Sequence, residues 1–464
     1  MLNGLCIGKN SILSQIDNSM TYLGVMSPDK GFLYYSILVP SLLTTWNESC
    51  LILDYNSEVF NMTAGCRQKR LNNKILKIDI NSFKYNPLSE VRLMSYYESY
   101  DLIDVFTPMF DYLLSDDKCL SDIIFLREGA TELLKVVTKH IMYKEFLQNP
   151  KFIYEDRSKI PVSDVTLLDV MSFFDSDVKS KIKTILSENL IEYAADDKIR
   201  EFVKDSIIHY DTSSQDDVEL VNEKGQNPIV INRLNYFLNS NTFDDVVKTI
   251  KKSFKLITKD ILDLEKSIFN AKSKFRIYNL VNDEKSVSVY LCYNDNDLQN
   301  MKPLYKIFMC QFLEKATGVL SNKYKCLVAL NRLEYFGCIP QFNDVQGYAS
   351  GFGFKFLIGL NSLDYITDTY DDDNKIMLNL QSVIYDYTLS HKSKEQLKEL
   401  QFDVIDIPDE APEKIAYLVK SYEPVLVTSN FYEKHRDFNM YNRLSDIELE
   451  TEDFKTDDIT EKGN

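Results

Sequence analysis

Gly24-Val-Met-Ser-Pro-Asp-Lys30-Gly31 runs directly into Phe32-Leu-Tyr-Tyr-Ser-Ile-Leu-Val39-Pro40-Ser-Leu-Leu43. A short apolar run, a loop with glycine and lysine, and then a helix-forming stretch outline a phosphate-cradling loop feeding a helix. The lysine is in place. Asp29 stands where a glycine should precede it, and Pro28 comes before that. Glycines let backbone N–H groups curl around a phosphate, whereas Pro28 deletes one N–H and restricts its neighbour. Asp29 puts a negative charge where phosphate charge belongs.

The flanking sequence sets this loop in a sheet. Leu23-Gly-Val25, Ser49-Cys-Leu-Ile-Leu-Asp54 and Lys74-Ile-Leu-Lys-Ile-Asp-Ile80 read as short buried strands. The stretch between the first two is helical, with apolar Phe32, Tyr35, Ile37, Leu38, Leu42 and Leu43. Strand, helix and strand at this spacing make a βαβ unit and imply a parallel sheet. Between residues 101 and 285 the apolar spacing turns helical, over Asp122–Ile141, Val165–Phe174, Val178–Tyr193, Ile199–Ile208 and Phe243–Ile277. The sheet pattern then resumes with strands at Ser286–Cys292, Lys325–Leu330, Phe354–Leu360 and Pro424–Thr428 and a helix at Pro303–Ala316.

The expected organisation is therefore a discontinuous P-loop NTPase-like domain over 1–100 and 286–440. An all-α domain is inserted at 101–285, and an acidic, disordered tail follows at 441–464. A net charge of −17 argues against a surface built mainly to coat nucleic acid, so direct nucleic-acid binding is not expected. The eight cysteines show no C-x-x-C spacing and there are four histidines, so no metal site is expected. No run approaches the roughly 18 apolar residues a membrane helix needs, and Met1-Leu-Asn-Gly-Leu-Cys lacks the form of a signal peptide. The expected location is cytoplasmic or peripheral at the inner membrane.

Several separate stretches, taken in order, resemble the nucleotide-binding domain of the type IV secretion coupling proteins, the hexameric RecA-like and FtsK-like ATPases of conjugation and effector export. They are the loop followed by Val39-Pro40-Ser41-Leu42-Leu43, Leu53-Asp54 with Glu58, Thr63-Ala64-Gly65-Cys66-Arg67 and Tyr85-Asn86-Pro87-Leu88. Val289-Tyr290-Leu291, Leu330-Asn331-Arg332-Leu333, Gly351-Phe-Gly353 and Asn361-Ser-Leu follow. The resemblance implies an α/β fold of RecA-like type with a mainly parallel sheet, ATP as cofactor, and an N-terminal membrane anchor in the family, for which no span is expected in this sequence.

It also marks departures. Gly24, Asp29, Lys30 and Gly31 form a degenerate loop, and Gly31 lacks the hydroxyl that would reach Mg²⁺. Asn331 and Arg332 occupy the positions of the family's Asp-Glu pair, which holds metal and polarises water. Asn361 occupies the place of the glutamine that reads the γ-phosphate, and Asn56 and Ser57 replace the lysine and glycine of a D-x-K-G-E stretch.

Four altered motifs point to a catalytically degenerate coupling-protein homologue, a scaffold or recruiting component rather than an enzyme, with ATP bound weakly if at all and little role for Mg²⁺. Two alternatives stand beside it. One is a working ATPase for DNA or effector translocation that uses Glu334 or Glu58. The other is a subunit of a mixed hexamer with an intact coupling ATPase. Expected partners are other secretion-system subunits, and an effector or adaptor held by the all-α domain or the acidic tail. Arg332 has two readings, an ion pair with Asp29 or a solvent-facing strand end. Asp54, Glu58 and Arg67 read as residues that hold loops together, and Trp46 as a packing residue.

Overall fold

In a computed structural model the chain is described over residues 5–7, 22–26, 32–79, 85–95, 98–115, 120–155, 158–206, 224–259, 275–296, 298–317, 322–339, 342, 345, 348–360, 362–370, 379–408, 410–411 and 414–428. In chain order the strands are β1 (Tyr22–Met26), β2 (Ser49–Tyr55), β3 (Lys74–Ile78), β4 (Lys151–Glu155), β5 (Ser158–Val162) and β6 (Val287–Tyr293). They continue with β7 (Cys326–Leu330), β8 (Phe354–Leu360), β9 (Ser382–Tyr385), β10 (Lys414–Val419) and β11 (Val425–Thr428). The helices begin with α1 (Phe32–Pro40), α2 (Glu58–Leu71), α3 (Glu98–Phe106), α4 (Leu120–Gln148), α5 (Leu167–Phe174) and α6 (Val178–Ser187). Then come α7 (Asp197–Ser206), α8 (Pro228–Asn239), α9 (Phe243–Thr258), α10 (Ile277–Asn282), α11 (Leu298–Thr317), α12 (Asp364–Tyr370) and α13 (His391–Glu399).

The chain divides into two compact units. The first comprises Met1–Asp79, Ile277–Asp295 and the chain from Phe312 through Thr428; the second comprises Ile80–Arg276 and Asn296–Gln311. The chain thus passes between the units at 79/80, 276/277, 295/296 and 311/312.

The first unit is built on one sheet of order β11-β10-β9-β1-β8-β7-β2-β6-β3. All pairs from β9 to β3 are parallel, and only β9-β10 and β10-β11 are antiparallel. β2, β6 and β7 are buried along almost their whole length, as strands covered on both faces must be. β3 closes one edge and carries Lys74 and Lys77, charges that discourage further pairing. β1 and β2 follow one another in sequence yet are separated in the sheet by β8 and β7. That crossover brings the C-terminal ends of β1, β8, β7, β2 and β6 to one rim, where ligands of open parallel sheets bind.

α1 is buried from Tyr34 to Pro40 and passes into a π-turn at Ser41–Thr45. Pro40 cannot donate, and the hydroxyls of Ser41 and Thr44 donate to the Ile37 and Pro40 carbonyls, both at 2.6 Å. Trp46 ends the turn. It is 1% exposed and donates its indole N–H to the Ser49 carbonyl at 2.9 Å, which fits the packing role read from sequence.

The second unit is mostly helical, with α4 packed against α3, α8 and α9. Three of its helix starts are capped by side chains: Thr166 and Asp169 form a capping box on α5, Asp177 caps α6, and Asn227 caps α8. It is not helical throughout, because β4 and β5 pair as an antiparallel hairpin. The stretch Val178–Tyr193, expected as one helix, breaks after Ser187 and resumes as a 3₁₀ turn at Leu190–Tyr193.

Glu188, at that break, ties α6 to α4. Its carboxylate lies 2.8 Å from His140 Nε2 and accepts from Lys144 Nζ at 2.7 Å. The hydrogen bond from His140, then that from Lys144, holds the Glu188 carboxyl down from 4.5 to about 2 against the opposing effect of burial. A carboxyl depressed in the folded state adds stability that is complete above its unfolded pKa and disappears as pH falls through the folded one. The urea midpoint is therefore expected to decline from about pH 4.5 towards pH 2, and Glu188→Gln to flatten that part of the profile. An unchanged acid limb in the variant would remove Glu188 from the account.

Candidate nucleotide-site rim

The rim is assembled from the ends of the parallel strands. Gly24 sits buried within β1, in register with Ile358 of β8 and Val383 of β9. Asp29, Lys30 and Gly31 lie outside the described residues, as do Asn361 and the side chain of Glu334. The expected Asp29–Arg332 ion pair lies outside them as well.

Asn331, directly after β7, is 3% exposed, and its side chain faces the Tyr35 phenol, whose pKa it draws down against the effect of burial. It fits closely against its neighbours: a Cβ placed on Gly359 of β8 would lie 2.6 Å from Asn331 Oδ1 and 2.8 Å from Tyr34 Cδ2. Tyr34 comes from α1, and its hydroxyl donates to the Leu357 carbonyl at 3.3 Å. Helix, β7 and β8 are thus interlocked at the position where the family pattern places a carboxylate.

Arg332 has left-handed backbone (φ 54°). Its guanidinium lies 4.8 Å from the ring centre of Tyr55 and 5.5 Å from that of Tyr335, and Nη1 is 3.4 Å from the Tyr335 hydroxyl. Neither sequence reading described this placement between two tyrosines. Tyr55 and Tyr293 end β2 and β6 in register, with rings 5.6 Å apart, and Phe336 meets Tyr293 edge-on at 5.3 Å. Sequence reasoning missed this aromatic layer. The usable signal was a tyrosine at the last position of two adjacent buried strands.

Asp54, at the end of β2, is fully buried and accepts from the Val59 and Phe60 N–H groups at 3.0 and 2.8 Å. It thereby closes the start of α2. Burial pushes its carboxyl up to about 7, with the Phe60 and Val59 N–H groups pulling the other way. Between Asp54 and α2 the chain turns through Asn56 and Ser57, both left-handed (φ 56° and 57°). That turn explains the family's glycine here, and Ser57 keeps the conformation at a steric cost. Burial also raises the Tyr35 phenol, and Asp54 and Glu58 reinforce it.

Arg67 of α2 is fully buried. It donates from Nε to Ser288 Oγ at 2.7 Å and from Nη1 to the Trp46 and Leu42 carbonyls at 2.7 and 3.2 Å. Nη2 donates to the Glu48 carbonyl at 2.5 Å. Arg67 therefore closes the π-turn and the approach to β2, and Asp54 and Arg67 both hold loops as the sequence reading had it.

Residues 3–400 match the protein family described as type IV secretory system conjugative DNA transfer. The chain belongs to that family. Conjugal transfer protein TraG of Escherichia coli is 24% identical over 361 residues, covering 74% of this chain and 49% of TraG. VirD4 of Rhizobium radiobacter is 24% identical over 185 residues, covering 34% of this chain and 27% of VirD4. The chain spans about half the length of the TraG relative it matches. In fold it is similar to the plasmid coupling protein TrwB solved with a non-hydrolysable GTP analogue, at TM-score 0.57 and 11% identity over 93% of this chain and 90% of TrwB. TrwB solved with ADP and Mg²⁺ gives TM-score 0.55 at 10% identity, over 98% and 91%. The fold is thus the RecA-like P-loop α/β fold with a mainly parallel sheet.

Proposed function

We propose that this coupling-family chain is catalytically degenerate and serves a conjugation or type IV secretion apparatus as a scaffold or substrate-recruiting component. The observation that supports this reading is the end of β7. Mg²⁺ takes hard oxygen donors, carboxylates above all. Here the two positions are a buried amide, Asn331, and a guanidinium held between Tyr55 and Tyr335. Asp54, a buried carboxylate at the end of β2, already accepts from the first turn of α2 with both oxygens. These residues do not fit a metal-bound triphosphate, and none of them is placed to take a proton from water. Loss of a positioned general base alone costs a factor of about 10²–10⁴.

Among the described residues no helix is long and apolar enough to cross a membrane. In this reading the chain works with other secretion-system subunits, an intact coupling ATPase among them, and sits in the cytoplasm or peripherally at the inner membrane. The test is phosphate release by the purified chain with ATP and Mg²⁺. The expected result is no release above a no-protein control. Magnesium-dependent release that disappears in Lys30→Ala would overturn the proposal.

A further inference from the structure

The outer face of α9 collects charge of one sign. From Val246 to Lys259 the sequence holds five lysines and no carboxylate, in a chain whose net charge is −17. Lys248, Lys251, Lys252, Lys255 and Lys259 are all exposed. They recur at three- and four-residue spacing, so they share one side of the helix over about 16 Å. The opposite side, with Val246, Ile250, Ser253, Phe254 and Ile257, is buried. The acids of α9 lie in its first turn. Asp244 pairs with Lys179 at 3.0 Å, and Asp245 lines a groove with Asp122, Lys248 and Lys252. Net positive charge therefore gathers further along, on Lys251, Lys255 and Lys259.

Large apolar side chains stand in water beside these lysines. Phe125 of α4 lines the same groove as Lys248 and Lys252, and Phe125 and its neighbour Ile124 are 47% and 46% exposed. Leu256, one turn beyond Lys252, is 40% exposed. A nucleic-acid strand would account for the lysines only. Its bases stack on aromatic rings and guanidinium planes, and it offers isoleucine and leucine no apolar medium. α9 has no arginine. A phospholipid surface answers both features. Its headgroups attract ammonium groups carried on flexible stems, and the acyl boundary takes up aliphatic and aromatic tips.

We infer that this face of α9, with Ile124 and Phe125 of α4, docks the chain on an anionic phospholipid bilayer. The inference rests on the peripheral location proposed above and assigns that location to particular residues. All of them belong to the helical unit. The phosphate-release test reads the rim of the sheet instead, so the two proposals can fail separately.

Sedimentation of the purified chain with vesicles tests this, using phosphatidylcholine alone and phosphatidylcholine mixed with phosphatidylglycerol. Binding to the mixed vesicles only is expected, and it disappears in about 1 M salt, where the screening length is about 3 Å. Near an anionic surface each lysine changes affinity about fivefold, so Lys251→Gln with Lys255→Gln weakens binding about 25-fold. Lys251→Arg with Lys255→Arg keeps the charge and the binding. Leu256→Trp adds an exposed indole whose emission shifts to the blue on mixed vesicles, as a side chain leaving water does. Circular dichroism checks that these exposed substitutions leave the helices intact. Equal sedimentation with both vesicle types, or with neither, overturns the proposal, as does unchanged binding by the glutamine pair or an unshifted indole. It also falls if a single-stranded oligonucleotide or polyglutamate binds through Lys251 and Lys255 and the mixed vesicles do not.

Discussion

Replacing Arg67 with methionine is expected to destabilise the sheet unit by about 3 kcal/mol or more, because several buried neutral acceptors lose a charged donor at once. The side chain spans three segments: β6 through Ser288, the π-turn through Leu42 and Trp46, and the entry to β2 through Glu48. Methionine fills similar space, so the loss would come mainly from acceptors left buried without donors, each costing about 1–3 kcal/mol. Lysine keeps the charge but offers one nitrogen where the guanidinium uses three. Arg67→Lys is therefore expected to recover less than half of the loss. Urea titration followed by near-ultraviolet circular dichroism measures both. A loss under about 1 kcal/mol in the methionine variant would mean that water replaces the guanidinium and that the clamp is incidental.

Gly359→Ala is expected to cost about 1–3 kcal/mol, the usual penalty of overfilling a packed core. The added methyl meets Asn331 Oδ1 at 2.6 Å and the Tyr34 ring at 2.8 Å, and all three residues lie in the buried interior of the unit. Removing the amide should make room. Asn331→Ala combined with Gly359→Ala is expected to lose less than the sum of the single variants, a coupling that a double-mutant cycle reads directly. Strict additivity would show that the Asn331–Gly359 contact does not govern this edge. If coupling is found, Asn331 acts as a packing element at a position that in the family pattern serves chemistry.

The buried parallel strands were the most legible part of the chain, because runs such as Ser49–Asp54 and Lys325–Leu330 are apolar on both faces. β9 and β10 escaped notice. β9 is four residues long, and β10 lies in the antiparallel extension beyond the nucleotide-fold pattern. The hairpin of β4 and β5 was overlooked for another reason: its strands carry lysines and glutamate and show little apolar alternation. At the site, the sequence identified Asn331 and Arg332 as departures but could not show where they point. Arg332 turns onto two tyrosines through a left-handed backbone that no local pattern announces. Asp54 and Arg67 were readable only as loop-holding residues, since their partners lie up to 238 positions away in sequence.

Trp46 is the chain's single tryptophan, buried beneath the Arg67 clamp with Lys355 5.9 Å from its ring centre. Indole emission therefore originates wholly in the sheet unit, and the helical unit contributes only tyrosine to the optical signal. Excitation at the red edge follows one unit alone. Far-ultraviolet ellipticity, dominated by α4 and its neighbours, follows mainly the other. Native protein thus carries an intrinsic two-channel readout of whether its halves melt together, without a dye or an introduced label.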